Sequence, residues 1–150
     1  MNTLDKNKPL LITIAISHYC EKVRWAMDSL GIDYIEENHA PPFHRQYTSH
    51  YGGTSVPVLF SDGKAFTDSQ DILHYLDTIV PNQLYAQDSQ LRQQAETLEA
   101  LFDDKLGVAT RCLGYYYAIQ QPWSVLAAWG KGTSLIEKIK CAVAFPKTVN

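Results

Sequence analysis

Residues 15–27, AISHYCEKVRWAM, join a strand-like segment to a helix-like segment almost without a loop. Residues 10–16 before the junction are nearly all apolar and rich in β-branched types, which predicts a buried strand ending at Ser17. After the junction, apolar residues recur at helical spacing, at Cys20, Val23, Met27 and Leu30. Gly31 is a typical helix stop. The sequence therefore predicts a strand that passes directly into a helix at Ser17.

Ser17 has two interpretations at this junction. Serine is among the best N-cap residues, so it predicts a capped helix. The free N–H groups and the dipole of a helix N-terminus also stabilise an anion such as a thiolate, and a serine hydroxyl there can add a hydrogen bond. Cys20 is the rival thiol, because a cysteine in the first helical turn can have a lowered pKa. However, Cys20 also lies on the apolar stripe, which favours a core position.

The remainder of the first 80 residues continues an α/β pattern. A second strand is predicted over residues 32–37, and residues 38–55 are predicted to form a loop with at most one short helix. Residues 56–60 and 65–67 flank the turn sequence SDGK and predict a hairpin. A helix then opens at Asp68 and Ser69 and ends at Pro81. The order predicts a βαβ unit followed by a ββα unit.

Two positions in this part allow a structural or a binding role. Pro57 inside a strand pattern predicts an edge, a bulge or a cis bond, and a cis bond would leave the backbone of Val56 free to pair with a peptide-like ligand. Asp68 and Ser69 can cap the helix. Alternatively, Ser69 and the helix N-terminus bind a carboxylate while Asp68 binds an ammonium group.

The second half of the chain is predicted to be helical. Residues 81–88 form a linker, and a long helix follows with its apolar positions between Leu91 and Tyr116. Pro122, Gly130 and Gly132 break the pattern, and residues 135–143 predict a last short helix. The predicted organisation is an α/β domain over residues 1–80, a linker over 81–88 and an all-helical domain over 89–150.

Composition narrows the classes of function. The 150 residues carry a net charge of -3, which argues against nucleic acid as the main partner. Three widely spaced cysteines do not form a disulfide framework and favour a reducing, cytoplasmic environment. No segment predicts a membrane span or a signal peptide. The five histidines lack metal-ligand spacing, so no metal site is predicted.

The order and spacing of these motifs resemble the glutathione transferase superfamily. They are Ser17-x-x-Cys20 at a strand-to-helix junction, Val56-Pro57 before a hairpin and Asp68-Ser69 opening a helix. The stretch SHYCEKVRWAM is also similar to the glutaredoxin motif Cys-Pro-Tyr-Cys, with Ser17 in place of the first cysteine. The resemblance implies a thioredoxin-like glutathione-binding domain over the first 80 residues, followed by an all-α domain that is incomplete compared with the family.

The resemblance also implies a role for each motif residue. Ser17 would hydrogen-bond the sulfur of glutathione, and Val56, preceding a cis Pro57, would pair its backbone with the cysteinyl part. Asp68 and Ser69 would hold the γ-glutamyl end. His44, or Arg45 beside it, would meet the glycine carboxylate.

The function implied by this resemblance is glutathione transfer to a hydrophobic electrophile, with glutathione as co-substrate, no metal and a homodimeric assembly. Two alternatives stay open. One is glutathione-dependent thiol-disulfide exchange through Cys20. The other is a non-catalytic binding or interaction module, an alternative that the short helical domain keeps open.

Overall fold

The computed structural model describes residues 8–41 and 43–148. The strands are β1 (Leu10–Thr13), β2 (Ile35–Asn38), β3 (Val58–Ser61) and β4 (Lys64–Phe66). In the α/β part the helices are α1 (His18–Ser29), α2 (His44–Thr48) and α3 (Ser69–Ile79). They are followed by α4 (Ser89–Leu101), α5 (Gly107–Ile119), α6 (Pro122–Trp129) and α7 (Leu135–Thr148).

The four strands form one mixed sheet in the order β2-β1-β3-β4. β1 and β2 are parallel, as the crossover through α1 requires, with Leu11 opposite Glu36. β3 runs antiparallel to both β1 and β4, with Leu59 opposite Leu11 on one side and Phe66 on the other. The predicted βαβ and ββα units are confirmed, and together they form a thioredoxin-like domain.

The core of this domain lies between the sheet and helices α1 and α3. Its buried members are Leu11, Val23, Ala26, Met27, Leu59, Ile72 and Leu76. A second buried cluster comprises Ile12, Cys20, Val56 and Val58, with Tyr47 and Tyr51 packed against it. Burial of this apolar surface stabilises the junction between β1 and α1 from both sides.

The loop regions of this domain differ from the sequence prediction. β1 ends at Thr13, three residues earlier than predicted, and residues 14–17 form a turn closed by a 3.1 Å bond from the Ser17 N–H to the Ile14 carbonyl. The stretch 38–55, predicted to hold at most one short helix, contains α2 and a 3₁₀ turn at Ser49–Tyr51. Gly52 ends that turn with a φ of 78°, a conformation that glycine adopts without strain.

The predicted long helix is interrupted near its middle. Between α4 and α5, residues Phe102–Leu106 form a π-helical segment. α6 was not predicted, because Pro122 was interpreted as a break, whereas it occupies the first turn of that helix. Proline is well tolerated there, since the first N–H groups of a helix have no acceptor within it. No helix in residues 8–41 or 43–148 has the length and apolarity to cross a membrane.

Polar contacts fix the long helix against the thioredoxin-like domain. Lys22 of α1 lies 3.0 Å from a Glu99 carboxylate oxygen and 2.7 Å from one of Asp103. Arg92 of α4 pairs with the buried Asp77 of α3 at 3.0 Å. These bonds hold α4 and the π-helical segment beside α1 and α3. They thereby fix the position from which α5 continues.

α7 docks on the opposite side of the same domain through a buried carboxylate. Glu137, which is 5% exposed, accepts a 2.8 Å hydrogen bond from His39 Nδ1 and a 3.0 Å bond from the Ala40 N–H. The His39 ring is stacked on Tyr47, with ring centroids 3.5 Å apart. Burial and the neighbouring Glu137 carboxylate raise the pKa of Tyr47. The cluster joins α7, α2 and the end of β2.

Candidate active site

A cleft of about 900 Å³ lies between the start of α1 and helices α5 and α6. On the thioredoxin-like side it is lined by residues that include Ser17, His18, Tyr19, His44, Arg45 and Val56. The helical side contributes residues that include Thr110, Arg111, Tyr115, Tyr117, Gln121 and Trp129. Four residues singled out from the sequence, Ser17, His44, Arg45 and Val56, therefore line one cavity.

Ser17 caps α1 and also lines this cleft. Its Oγ accepts a 3.3 Å hydrogen bond from the Cys20 N–H, and its backbone is extended, with φ −78° and ψ 119°. A hydroxyl has one proton to donate besides its acceptor lone pairs. The cap uses an acceptor position only, so the hydroxyl proton is left to turn either toward the neighbouring Cys20 sulfur or toward a ligand anion. The two interpretations of Ser17 are therefore compatible.

Cys20 lies one helical turn further along α1 and is fully buried. Burial raises the pKa of its thiol, against an opposing hydrogen bond from Ser17. A buried, protonated thiol is a poor nucleophile, since the thiolate is the reactive form. The core position that the apolar stripe predicted for Cys20 is confirmed.

The Val56–Pro57 peptide bond is cis. Val56 lines the cleft with 9% of its surface exposed, whereas Pro57 is not among the lining residues. Asp68 and Ser69 lie at the start of α3 and are not among them either. Asp68 caps α3 by accepting a 2.8 Å hydrogen bond from the Gln70 N–H, and Ser69 is 4% exposed.

His44 and Arg45 open α2 at the edge of the cleft. The Nδ1 of His44 donates a hydrogen bond to the Pro41 carbonyl. Burial lowers the pKa of His44, with the Arg45 charge acting in the same direction and the Pro41 bond against it. Burial and the Arg111 charge also lower the pKa of His18, on the other side of Ser17. Both imidazoles are therefore neutral near pH 7.

These two histidines predict a loss of stability in mild acid. A histidine with a lowered folded-state pKa takes up its proton more readily in the unfolded chain, whose pKa is about 6.5. The contribution of each neutral histidine to the free energy of unfolding is fully present above about pH 6.5. It is lost as the pH falls below that value toward the folded-state pKa. Urea unfolding between pH 7.5 and 5.0 should show this slope, and His44→Gln should flatten it. The exposed His50 supplies the control, and an equal flattening in His50→Gln would contradict the assignment.

The π-helical segment brings α5 close to the start of α1. The Tyr19 hydroxyl donates a 2.9 Å hydrogen bond to the Asp103 carbonyl inside that segment. A side chain at Gly107, the first residue of α5, would place its Cβ 2.6 Å from Tyr19 Oη and 2.9 Å from His18 Nε2. Any larger residue there would require the Tyr19 and His18 side chains to shift beside Ser17. π-Helical turns are frequent at functional sites.

Several lining residues were not identified from the sequence. Arg111 and Trp129 lie more than 90 positions from Ser17, and no motif of the sequence connects them with it. One signal could have identified Arg111, because it is the only charged residue within α5. An isolated cation in an otherwise uncharged helix indicates a specific use. Within the described ranges, no group of three histidine, cysteine or carboxylate side chains could hold a metal ion.

Residues 11–84 match the family model of the glutathione S-transferase N-terminal domain. The thioredoxin-like domain of this chain therefore belongs to the glutathione transferase superfamily. None of the curated proteins matches the chain.

Solved structures extend the likeness of fold into the helical part. A tau class glutathione S-transferase from mango, Mangifera indica, is 17% identical with a TM-score of 0.58, over 95% of this chain and 60% of that one. A possible glutathione transferase from Rhodopseudomonas palustris is 19% identical with a TM-score of 0.65, over 79% and 66%. A Burkholderia homologue, solved with bound glutathione, is 20% identical with a TM-score of 0.58, over 80% and 65%. The chain thus spans about half to two thirds of the length of the structures it matches.

Proposed function

We propose that this protein is a glutathione transferase in which Ser17 stabilises the glutathione thiolate for attack on an electrophilic small molecule. The observation that carries the proposal is the hydroxyl of Ser17 at the open end of α1, on the wall of a 900 Å³ cleft, where its rotatable proton can turn to a ligand anion. The hydroxyl and the N–H groups of the first helical turn converge on the same anion. Both favour a thiolate over a thiol.

In this reaction the protein has two tasks, to ionise the glutathione thiol and to orient it toward the electrophile. The thiol proton leaves to solvent, and a sulfur lone pair forms the S–C bond. The displaced electron pair leaves with a leaving group or moves into the carbonyl of an unsaturated ketone, where solvent supplies a proton. Lowering a thiol pKa from about 8.5 by about 2 units corresponds to about 2.7 kcal/mol. A charge-assisted hydrogen bond together with a helix N-terminus is of that order.

The cysteinyl and glycyl parts of glutathione are assigned to the same wall, and the γ-glutamyl end to the start of α3, outside the cleft lining. The backbone of Val56 pairs with the cysteinyl unit, next to the cis Pro57. The guanidinium of Arg45, together with the neutral His44, binds the glycine carboxylate. Asp68 binds the ammonium group of the γ-glutamyl end, while Ser69 and the N-terminus of α3 bind its carboxylate.

Asp68→Asn tests the assignment of the γ-glutamyl end. Asparagine keeps the N-cap, so α3 is retained, while the charge that faces the ammonium group is lost. Because Asp68 is exposed, we expect the Kd for glutathione to rise by only about fivefold in a calorimetric titration. Asp88→Asn is the matched control, because Asp88 caps α4 in the same way, at 3.0 Å from the Gln90 N–H. An equal loss of affinity in both variants would refute the role of Asp68.

The experiment that tests the whole proposal is a calorimetric titration with reduced glutathione, in which thiolate absorbance follows the ionisation of the bound thiol. Binding with a lowered thiol pKa, followed by turnover of an electrophile, is the expected result. Binding without turnover would support the second candidate, a non-catalytic binding module. Absence of binding would refute both.

We further place this enzyme in the cytoplasm as a homodimer that takes a hydrophobic electrophile. The free state of Cys20, Cys112 and Cys141 supports a reducing compartment. Exposed apolar side chains on the long helix support an assembly, among them Leu91, Leu98, Leu101, Phe102 and Leu113, each at least 50% exposed. Sedimentation at micromolar concentration tests the dimer, and a monomer would refute it.

A further inference from the structure

The cleft beside Ser17 carries positive charge without a balancing carboxylate. Its described lining includes Arg45 and Arg111 but neither an aspartate nor a glutamate. His18 and His44 also line it, yet both are held neutral near pH 7. The two guanidinium groups are therefore the full charges on its walls, since arginine stays protonated throughout the physiological range.

The same two arginines differ from the other arginines of the chain in their partners. Arg24 pairs with Glu21 and Glu36 at 3.0 and 2.7 Å, and Arg92 pairs with Asp77 and Glu96 at 3.0 and 2.9 Å. Within the part of the chain that the structure describes, neither Arg45 nor Arg111 forms an ion pair. The charges of Arg24 and Arg92 are thus balanced by carboxylates, whereas those of Arg45 and Arg111, which line the cleft, are not.

Arg45 and Arg111 lie on different walls. Arg45 belongs to α2 of the thioredoxin-like domain, where it is assigned to glutathione. Arg111 belongs to α5, on the wall that would face the second substrate. Its neighbours in the cleft lining include Tyr115, Tyr117 and Trp129, which offer flat aromatic surfaces. An aromatic surface with one unpaired guanidinium suits a flat apolar molecule that carries a carboxylate.

We propose that the second substrate is an anionic electrophile, a flat apolar body that bears a carboxylate, and that Arg111 is the residue that selects it. This inference rests on the proposed transferase function and specifies its acceptor. The carboxylate pairs with Arg111, and the apolar body lies against the aromatic side chains of α5 and α6. The reacting carbon is then held next to the thiolate at Ser17.

Ethacrynic acid and its methyl ester form a matched pair of probes. Both carry the same unsaturated ketone, and their carboxyl groups are remote from the reacting carbon, so they differ mainly in charge. The thiolate adds to the terminal methylene carbon, the double-bond electrons move to the ketone oxygen, and the enolate takes a proton from water. The ratio of kcat/KM for acid over ester, corrected for the uncatalysed rates, measures the preference for the anion.

The wild-type protein should prefer the acid by about tenfold, which is the effect expected of one charged hydrogen-bonded pair. Arg111→Gln should reduce this ratio to near one, and Arg111→Lys should retain part of it, because lysine keeps the charge but not the planar fork. Added salt should reduce the ratio, since Arg111 is exposed. Lys131→Gln is the control, because it removes one exposed positive charge outside the cleft lining and should leave the ratio unchanged.

Two results would overturn the inference. A wild-type ratio near one would show that charge is not selected. An equal loss of both activities in Arg111→Gln, with the ratio unchanged, would mean that Arg111 acts on the thiolate instead. Calorimetric binding of glutathione separates the proposals, because glutathione that binds without any preference for the acid overturns only the choice of acceptor. Failure to bind glutathione refutes the transferase function itself.

Discussion

Replacement of Ser17 by alanine is expected to lower kcat/KM for glutathione conjugation by about tenfold, because the thiolate loses the hydroxyl's share of its stabilisation, about 1 pKa unit, and keeps that of the α1 N-terminus. The same change removes the N-cap of α1 and should reduce the free energy of unfolding by about 1 kcal/mol. Conjugation kinetics, thiolate absorbance of bound glutathione and urea unfolding measure the three effects. All three quantities should fall together in Ser17→Ala.

Ser17→Asp separates the catalytic role from the capping role. Aspartate is as good an N-cap as serine, so the unfolding free energy should stay within about 1 kcal/mol of the wild type. Its carboxylate has no proton to donate near pH 7 and repels a thiolate, so conjugation should be at least as slow as in Ser17→Ala. Wild-type conjugation by Ser17→Asp would rule out hydrogen-bond donation by the hydroxyl. A Cys20→Ala variant that keeps its conjugation rate would rule out the thiol as the reacting group.

Removal of the buried Glu137 carboxylate should have the largest effect on stability. In Glu137→Ala, the Ala40 N–H and the Nδ1–H of His39 both lose their acceptor in the interior. Leaving two buried donors unpaired costs about 3 kcal/mol. Urea denaturation should therefore show a decrease of about that size in the free energy of unfolding. Glu137→Gln, which keeps one acceptor oxygen, should lie between Glu137→Ala and the wild type.

Glu21→Ala is the matched control for Glu137. Glu21 accepts a 3.0 Å charge-assisted hydrogen bond from Arg24, but its side chain is 70% exposed. Exposed pairs contribute about 0–1 kcal/mol, so its loss should be small. Equal effects of the two substitutions would mean that the cluster around Glu137 contributes no more than a surface ion pair. The difference between the two losses in unfolding free energy therefore measures how much burial adds to the effect of removing a carboxylate.

The thioredoxin-like domain could be predicted from sequence because its signals are local. Strand and helix periods, the caps at Ser17 and Asp68 and the turn at residues 61–64 each depend on neighbouring residues. The helical part was predicted less completely. Proline can end a helix or begin one. Pro122 begins α6, because the first N–H groups of a helix have no acceptor within it and the missing N–H of proline costs nothing there. The π-helical segment has no local signal, since residues 102–106 combine ordinary helix-forming types.

The residues of the candidate site likewise fall into a predictable and an unpredictable group. Ser17, Val56 and His44 follow from motifs of the first domain and lie together in the cleft. The opposite wall depends on contacts between distant segments, such as the bond from Tyr19 to Asp103. No spacing rule in a single sequence connects those segments, so the role of Arg111 required three-dimensional information.

The π-helical segment at Phe102–Leu106 also determines which side chains of α5 face Ser17. A π turn holds more residues than an α turn, and each residue of an α-helix rotates its successors by about 100° about the axis. The loss of a single residue from the segment would restore regular α-helix and turn the following side chains away by about that angle, Arg111 and Tyr115 among them. The thioredoxin-like wall would keep its composition. A change in the length of one helical turn would therefore replace the side chains that α5 presents to Ser17 and leave the thioredoxin-like wall unaltered.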